Sequence, residues 1–310
     1  MLLTGGASLV RGASGIAEAH GISPLVVGLT VVAFGTSAPE LVVNILAAIN
    51  GETDIGFGNI AGSNLANLGL VLGTAALIAP IAIEGQIIRR ELPLLLLATT
   101  VLLVMTLDSQ LRGFDAVLDR SDRLVLLLLF GIFVYIMIMD FFRQGEDPLL
   151  ATISGLSPKL ETKTLRDWIF VLAGIISLAL GGELTITHGV KLAGMLDVST
   201  NIVGMAVIAI GTSLPEFVTS IIAAMRKEAD LCVGNIIGSN IFNILLVLPV
   251  SALIYPLSIP EHGTTDIIAT FLFAVVLIPV FIIRRKIMSR TIGGVFLSAY
   301  LLYMYLRITG

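Results

Sequence analysis

Long apolar runs separated by short polar breaks dominate the chain. A helix needs about 20 mostly apolar residues to cross the hydrocarbon core of a bilayer. Ten runs approach or exceed that length, near residues 2–19, 24–50, 57–82, 91–107, 122–142, 167–190, 200–225, 232–257, 264–284 and 291–307. The pattern therefore predicts an all-α membrane protein with ten transmembrane helices, five in each half of the chain.

The two halves repeat two motifs in one register. Residues 35–40 read Gly-Thr-Ser-Ala-Pro-Glu, and 176 positions later residues 211–216 read Gly-Thr-Ser-Leu-Pro-Glu. At the same offset, residues 58–67 (Gly-Asn-Ile-Ala-Gly-Ser-Asn-Leu-Ala-Asn) match residues 234–243 (Gly-Asn-Ile-Ile-Gly-Ser-Asn-Ile-Phe-Asn). Two motifs at one spacing indicate a duplicated unit.

The duplication defines the predicted organisation of the chain. Residues 1–142 form repeat 1, residues 143–166 form a polar cytoplasmic linker broken by Pro and Gly, and residues 167–310 form repeat 2. Because five crossings per repeat is an odd number, the second repeat enters the bilayer from the opposite side. We therefore expect inverted repeats related by a two-fold axis in the membrane plane.

Basic residues in the short loops predict the orientation. Twelve Lys and Arg fall on one side: Arg89, Arg90, Arg143, Lys159, Lys163, Arg166, Arg226, Lys227, Arg284, Arg285, Lys286 and Arg290. The other side has five: Arg112, Arg120, Arg123, Lys191 and Arg307. The positive-inside rule predicts that the first side faces the cytoplasm and that both termini of this cell-membrane protein lie outside the cytoplasm.

Composition agrees with a membrane protein. Of the 310 residues, 56% are hydrophobic and 13% are charged, well below the roughly one-quarter charged residues of soluble domains. The single cysteine, Cys232, excludes an internal disulfide and a multi-cysteine metal site. No removable signal peptide is recognisable. Only four residues precede Gly5-Gly6, whereas a long apolar stretch precedes its repeat partner Gly181-Gly182. This difference favours a native N-terminus that is longer than the one in this sequence.

The motifs carry oxygen ligands into the bilayer. Pro39 cannot donate a hydrogen bond to the carbonyl of Gly35, nor Pro215 to that of Gly211, so each hexapeptide predicts a helix break with free carbonyl oxygens beside hydroxyls. A broken helix within the membrane is tolerated where neighbours, water or an ion satisfy the backbone. Calcium and sodium both prefer such hard oxygen ligands.

The two glutamates are the strongest candidates for ion ligands. A carboxylate in mid-membrane costs on the order of 3 kcal/mol and is usually functional, and Glu40 and Glu216 each follow a predicted break. In the second motif, serine and asparagine lie four residues apart and therefore share a helix face; these residues are Ser63, Asn67, Ser239 and Asn243. Glycines at four-residue spacing, at positions 58, 62, 234 and 238, favour close helix packing.

These motifs resemble the paired repeats of the sodium/calcium exchanger family, in the cation/calcium antiporter superfamily, prokaryotic type. The resemblance covers nearly the whole chain. It implies that ions are held between the second, third, seventh and eighth of the ten predicted transmembrane helices, which lie near residues 24–50, 57–82, 200–225 and 232–257. It implies that Glu40 and Glu216 bind both calcium and sodium, and that the carbonyls of Thr36 and Thr212 complete the calcium site. The implied sodium ligands are Ser37, Ser63, Thr212, Ser213 and Ser239 with the carbonyls of Ala33 and Ala209, and Asn67 at the centre.

One position departs from the family. Many of its exchangers have Asp where this chain has Asn243, so the site carries two negative charges rather than three. Two charges balance one calcium ion, whereas three sodium ions leave one positive charge, so a three-for-one exchange inferred from the family would be electrogenic. Proton/calcium exchange remains an alternative because a carboxylate in low dielectric can carry a proton. Potassium co-transport, found in a sister branch, is disfavoured by Asn243.

The expected mechanism is alternating access, with helices 1 and 6 as the moving parts because they lack the acidic motif. We expect a monomer whose partners are calcium, sodium and the lipid bilayer, with no cofactor, no nucleic acid and no enzymatic activity. An ion channel would use similar ligands, but inverted repeats favour a gated carrier. A remote alternative is an intramembrane serine protease, with Ser14 in Gly-Ala-Ser-Gly as nucleophile and His188 as base.

Overall fold

Helices make up nearly all of the chain that the computed structural model describes, which comprises residues 1–82, 85, 87–113, 117–144, 160–195, 209–283 and 287–309. The described α-helices of the first half are α1 (Leu2–His20), α2 (Pro24–Thr36), α3 (Ala38–Asn50), α4 (Thr53–Ile78), α5 (Leu92–Thr106), α6 (Asp108–Arg112) and α7 (Arg120–Gln144), and a π-helical turn at Ile87–Glu91 directly precedes α5. Those of the second half are α8 (Leu160–Met195), α9 (Ala209–Thr212), α10 (Leu214–Met225), α11 (Ala229–Ile254), α12 (Gly263–Ile283) and α13 (Arg290–Thr309).

Each of the ten predicted apolar runs contains a described helix, although only residues 209–225 of the seventh run are described. The short helix α6 lies between the fourth run and the fifth. Six described helices are long and apolar enough to cross a membrane, and α2 with α3 adds a seventh if the bent pair is one span. The chain is a multi-pass helical membrane protein, and the count of ten crossings stays a prediction. Residues 160–166, assigned to the linker by sequence, belong to α8, since none of them is Gly or Pro; residues 145–159 lie outside the described residues.

Two short antiparallel strand pairs join loops of the two halves. Strand β1 (Ile81–Ala82) pairs with β4 (Ile287–Met288), and β2 (Val117–Leu118) pairs with β3 (Leu257–Ser258). β1 and β3 occupy matching positions 176 residues apart, whereas β2 and β4 are 170 residues apart, so the two pairings correspond to each other approximately. The sequence analysis did not predict these strands, which are too short to show a two-residue periodicity.

The core is built around α4 and α11, which contain the second motif of each repeat. Their apolar segments are 78% and 83% buried, whereas those of α7, α8, α12 and α13 are between 17% and 33% buried. The second group therefore has the exposed apolar faces expected of helices in contact with lipid. Each of the two central helices contains a π-helical turn, at Asn67–Val71 in α4 and at Asn243–Val247 in α11.

Glycines allow two helix pairs to approach closely. A Cβ atom on Gly174 of α8 would lie 2.6 Å from the backbone nitrogen of Leu9 in α1. A Cβ atom on Gly234 or Gly238 of α11 would lie 2.8 Å from the carbonyl oxygen of Leu25 or Leu29 in α2. The predicted close packing is confirmed at these two glycines of α11, and it brings the second motif of one repeat against the helix that leads into the first motif of the other. It is wrong at Gly58, where a Cβ atom would meet no described atom within 4 Å.

Candidate ion-binding site

Each hexapeptide motif breaks a helix at its serine. Ser37 has φ −84° and ψ 2°, Ser213 has φ −82° and ψ 1°, and the first break bends α3 by 42° from α2. The proline is the second residue of the new helix, where a backbone N–H has no partner within the helix in any case. Glu40 and Glu216 are the third residues, so the positive end of a helix dipole stabilises each carboxylate.

Glu216 is held by hydroxyls from both repeats. Its Oε1 atom accepts hydrogen bonds from Ser37 Oγ at 3.0 Å and from Ser239 Oγ at 3.4 Å. The Ser239 hydroxyl also lies 3.3 Å from Thr36 Oγ1. The structure thus brings four of the predicted ligands into one buried cluster that spans α2, α10 and α11.

The other motif residues make the matching contacts across the repeats. Thr212 Oγ1 donates to Asn59 Oδ1 at 2.9 Å, and Thr36 Oγ1 donates to Asn235 Oδ1 at 3.0 Å. The hydroxyls of Thr212 and Ser63 are 3.5 Å apart. These paired contacts place both threonines and both second-motif serines at the interface between repeats.

Among the described residues, six buried oxygens of the predicted site have no hydrogen-bond partner. They are Glu40 Oε1, Glu40 Oε2, Glu216 Oε2, Asn67 Oδ1, Asn243 Oδ1 and Ser213 Oγ. The charges of the two carboxylates interact with each other, and no described residue forms an ion pair with either. An unpaired buried carboxylate costs several kcal/mol, so the site requires bound cations or protons.

The two predicted alanine carbonyls differ in how much the structure shows of them. The carbonyl oxygen of Ala33 accepts a hydrogen bond from Ser37 N at 2.9 Å, and it lies 3.3 Å from Thr36 Oγ1. Thr36 has a single hydroxyl hydrogen, which is donated to Asn235 Oδ1 at the shorter distance of 3.0 Å, so one lone pair of Ala33 O stays available to an ion. Ala209 begins the short helix α9, and only its backbone is described.

Sequence reasoning missed four buried asparagines beside the predicted ligands. Asn59 and Asn235 accept from the threonine hydroxyls, and Asn64 and Asn240 bond to the predicted ligands Asn243 and Asn67, respectively; all four of the missed residues are at most 4% exposed. The signal was present, because all four lie inside the duplicated second motif. The four-residue spacing singles out only the face shared by the serine and the last asparagine of the motif, so it did not select them.

The protease alternative does not fit the geometry. Ser14 belongs to a stretch of α1 in contact with the start of α8, where a Cβ atom on Gly15 would lie 2.5 Å from Asp167 Oδ2. His188 lies 21 residues further along the same helix, or about 30 Å at 1.5 Å per residue. Its ring nitrogen Nδ1 instead bonds to the carbonyl of Leu184 at 2.9 Å. His188 is therefore too far away to serve as a base for Ser14.

The comparisons with known proteins agree with the site chemistry. The sequence model of the family described as sodium/calcium exchanger protein matches residues 1–139 and 167–309. CaxA of Alkalimonas amylolytica, which is named as an antiporter, is 35% identical over 303 residues and is aligned over 96% of this chain and 92% of its own. The sodium/calcium exchanger MaX1 of Methanosarcina acetivorans is 29% identical, with 84% of this chain and 82% of MaX1 covered.

A solved structure extends the likeness to the fold. The sodium-calcium exchanger NCX_Mj, soaked with Na⁺ and Sr²⁺, superimposes with a TM-score of 0.82 at 29% identity, over 98% of this chain and 94% of that one. Both halves of the chain, including both copies of each motif, fall within the residues that the sequence model of the family matches.

Proposed function

Because the chain belongs to the sodium/calcium exchanger family, we propose that it exchanges one calcium ion for three sodium ions by alternating access at the duplicated motifs. As a member of this family it is a transporter of the sodium/calcium antiporter type rather than an enzyme. The observation that carries the proposal is the set of six unpartnered buried oxygens, two carboxylates among their sources, all on duplicated motif residues.

The proposed ligands combine charge with neutral oxygens. Glu40 and Glu216 bind either ion, and the remaining ligands are Thr36, Thr212, Ser37, Ser213, Ser63, Ser239, Asn67, Asn243, Ala33 and Ala209. In the described residues no group of three His, Cys, Asp or Glu forms another metal site. With two carboxylates, one calcium ion leaves the site neutral and three sodium ions leave one positive charge, so the exchange is electrogenic.

The proposed architecture is a pair of inverted five-helix repeats with ten crossings. The support is the reciprocity of contacts between the halves: both threonine–asparagine bonds and both helix breaks recur at the 176-residue offset, and the two strand pairs recur with one strand of each at that offset. Both halves of the site lie in one chain, so a monomer is sufficient. In this proposal the protein lies in the cell membrane, and both of its termini lie outside the cytoplasm, as the distribution of basic residues among the loops predicts.

Alternating access is supported by an asymmetry between the repeats. In repeat 2, Val218 and Ile222 on α10 lie against Gly6 of α1, and Val218 is only 9% exposed. The equivalent residues of repeat 1, Val42 and Leu46 on α3, are 55% and 53% exposed. One helix beyond the break is therefore covered and its counterpart is not, which is the arrangement expected of a carrier closed on one side.

The test is uptake of radioactive calcium into proteoliposomes of the purified protein. Outward gradients of sodium, potassium and protons are compared with the membrane potential clamped. We expect the sodium gradient alone to drive uptake, and Glu40→Gln or Glu216→Gln to abolish it. Glu183→Gln is the matched control, because this acid of α8 is exposed and has no counterpart in the other repeat. Uptake driven by protons alone, or unaffected by the two site substitutions, would refute the proposal.

A further inference from the structure

Four asparagines form a closed hydrogen-bonded network where α4 meets α11. Asn67 Nδ2 donates to Asn240 Oδ1 at 3.0 Å, and Asn243 Nδ2 donates to Asn64 Oδ1 at 3.1 Å. Asn64 and Asn240 also donate to each other's backbone carbonyls, at 3.5 Å and 3.3 Å. All four residues are fully buried. Each asparagine therefore bonds across the repeat interface rather than along its own helix.

The network determines which end of each amide faces the site. If the Asn240 amide were flipped, its NH₂ group would meet the NH₂ group of Asn67, and its oxygen would meet the carbonyl oxygen of Asn64. Both contacts would be repulsive, and two buried donors would lose their partners, at about 1–3 kcal/mol each. The same argument applies to Asn64 with Asn243. The donor ends of Asn67 and Asn243 are thus occupied by their partners.

The oxygen ends of Asn67 and Asn243 are left free. Both Oδ1 atoms are buried without a hydrogen-bond partner. Both residues also begin a π-helical turn, a local feature that is frequent at functional sites. An amide that presented its NH₂ group to a cation would repel it, so orientation decides whether these residues can be ligands.

We infer that Asn64 and Asn240 are positioning residues for ion binding, each acting on a residue of the other repeat. Asn240 orients the side-chain oxygen of Asn67 toward the site, and Asn64 orients that of Asn243. This inference rests on the proposed function. Partners that orient metal ligands typically change metal affinity by about 10–100-fold when removed. We therefore expect Asn240→Leu or Asn64→Leu to weaken calcium affinity by about that factor.

The crosswise pairing gives a specific test by double-mutant cycles. Calcium Kd is measured from the rise in Tm as calcium is added to detergent-solubilised protein, with a thiol-reactive dye reporting exposure of the buried Cys232 on unfolding. Asn240→Leu combined with Asn67→Ala should bind calcium no more weakly than Asn67→Ala alone. When Asn240→Leu is combined with Asn243→Ala, the factors by which the two single substitutions raise the calcium Kd should multiply. Asn243 is three residues away on the same helix as Asn240, so sequence proximity would predict the opposite result.

A control separates positioning from packing. Ser251→Ala removes a buried hydroxyl of α11 that bonds only to its own helix, at Val247 O, 2.9 Å away, so it should leave calcium Kd unchanged. Asn240→Thr, which is smaller and still polar but cannot make both bonds, replaces the leucine variant if that variant does not fold. A lower ion-free Tm with unchanged Kd in the asparagine variants would mean a packing role only and would overturn the inference.

The outcomes also distinguish this inference from the proposed function. If calcium and sodium fail to raise the Tm of the wild-type protein, the proposed ion site is wrong. If they raise it and the Asn64 and Asn240 variants keep the wild-type Kd, or if the cycle couples Asn240 to Asn243, only the positioning role is wrong.

Discussion

Gly238 offers a direct test of how closely the two repeats must pack at the site. A Cβ atom there would lie 2.7 Å from Ala33 Cβ, 2.8 Å from Leu29 O and 2.9 Å from Leu29 Cα, where ordinary contacts are about 3.4–4 Å. Gly238→Ala must therefore push α11 from α2 by roughly 0.5–1 Å. Overpacking of this kind costs about 1–3 kcal/mol. The neighbouring Ser239–Thr36 contact, already 3.3 Å, would then exceed hydrogen-bonding distance.

Two measurements follow from this geometry. The Tm of Gly238→Ala should fall by roughly 2–10 °C, and its KM for calcium should rise because Ser239 is displaced from Glu216. Gly131→Ala is the control, because no described atom lies within 4 Å of a Cβ atom at this exposed position of α7. If Gly238→Ala melts and transports like Gly131→Ala, the two helices are not held at this distance and the packing argument is wrong.

Three further outcomes concern charge and hydrogen bonding. If the proposed exchange moves one net charge per cycle, a change of about 100 mV, worth about 2.3 kcal/mol, should shift the equilibrium calcium gradient in proteoliposomes by about 50-fold; an unshifted gradient would show electroneutral exchange. Ser37→Ala should lower the free energy of unfolding of the ion-free protein by about 1.5–3 kcal/mol because it removes the 3.0 Å bond to Glu216, whereas Ser213→Ala should not, because Ser213 Oγ has no partner among the described residues; identical melting curves would contradict this. Hydrogen bonds, first from the Ser121 hydroxyl, lower the pKa of the exposed Asp119. The ionised Asp119 therefore stabilises the fold above the unfolded pKa, and this stabilisation is lost as pH falls through the folded pKa. Asp119→Asn should remove part of the decline in Tm below about pH 4, and an unchanged dependence of Tm on pH in that range would refute this.

Much of the candidate site could be predicted from sequence because its main features are local. A proline four residues after a glycine removes one helical hydrogen bond, so its position indicates where the helices can break before Glu40 and Glu216. Proline alone does not decide a break, because Pro279 lies inside α12. The π-helical turns at Asn67 and Asn243 could not be predicted in this way, since no proline or glycine begins them. The crosswise asparagine bonds depend on how α4 and α11 meet, which no periodicity within one helix reveals.

The unequal hydrogen bonding of two motifs that differ only at Ala38 and Leu214 has a simple explanation under alternating access. Ser37 donates to Glu216, while among the described residues its counterpart Ser213 donates to no oxygen and the side-chain oxygens of Glu40 accept no hydrogen bond. The same repeat asymmetry appears in the covering of α10 by α1 and the exposure of α3. If the repeats exchange conformations when the carrier turns to the other side, Ser213 would donate to Glu40 and Ser37 would release Glu216. The two states would then make the same number of hydrogen bonds, which keeps their free energies close, as a carrier that must populate both states requires.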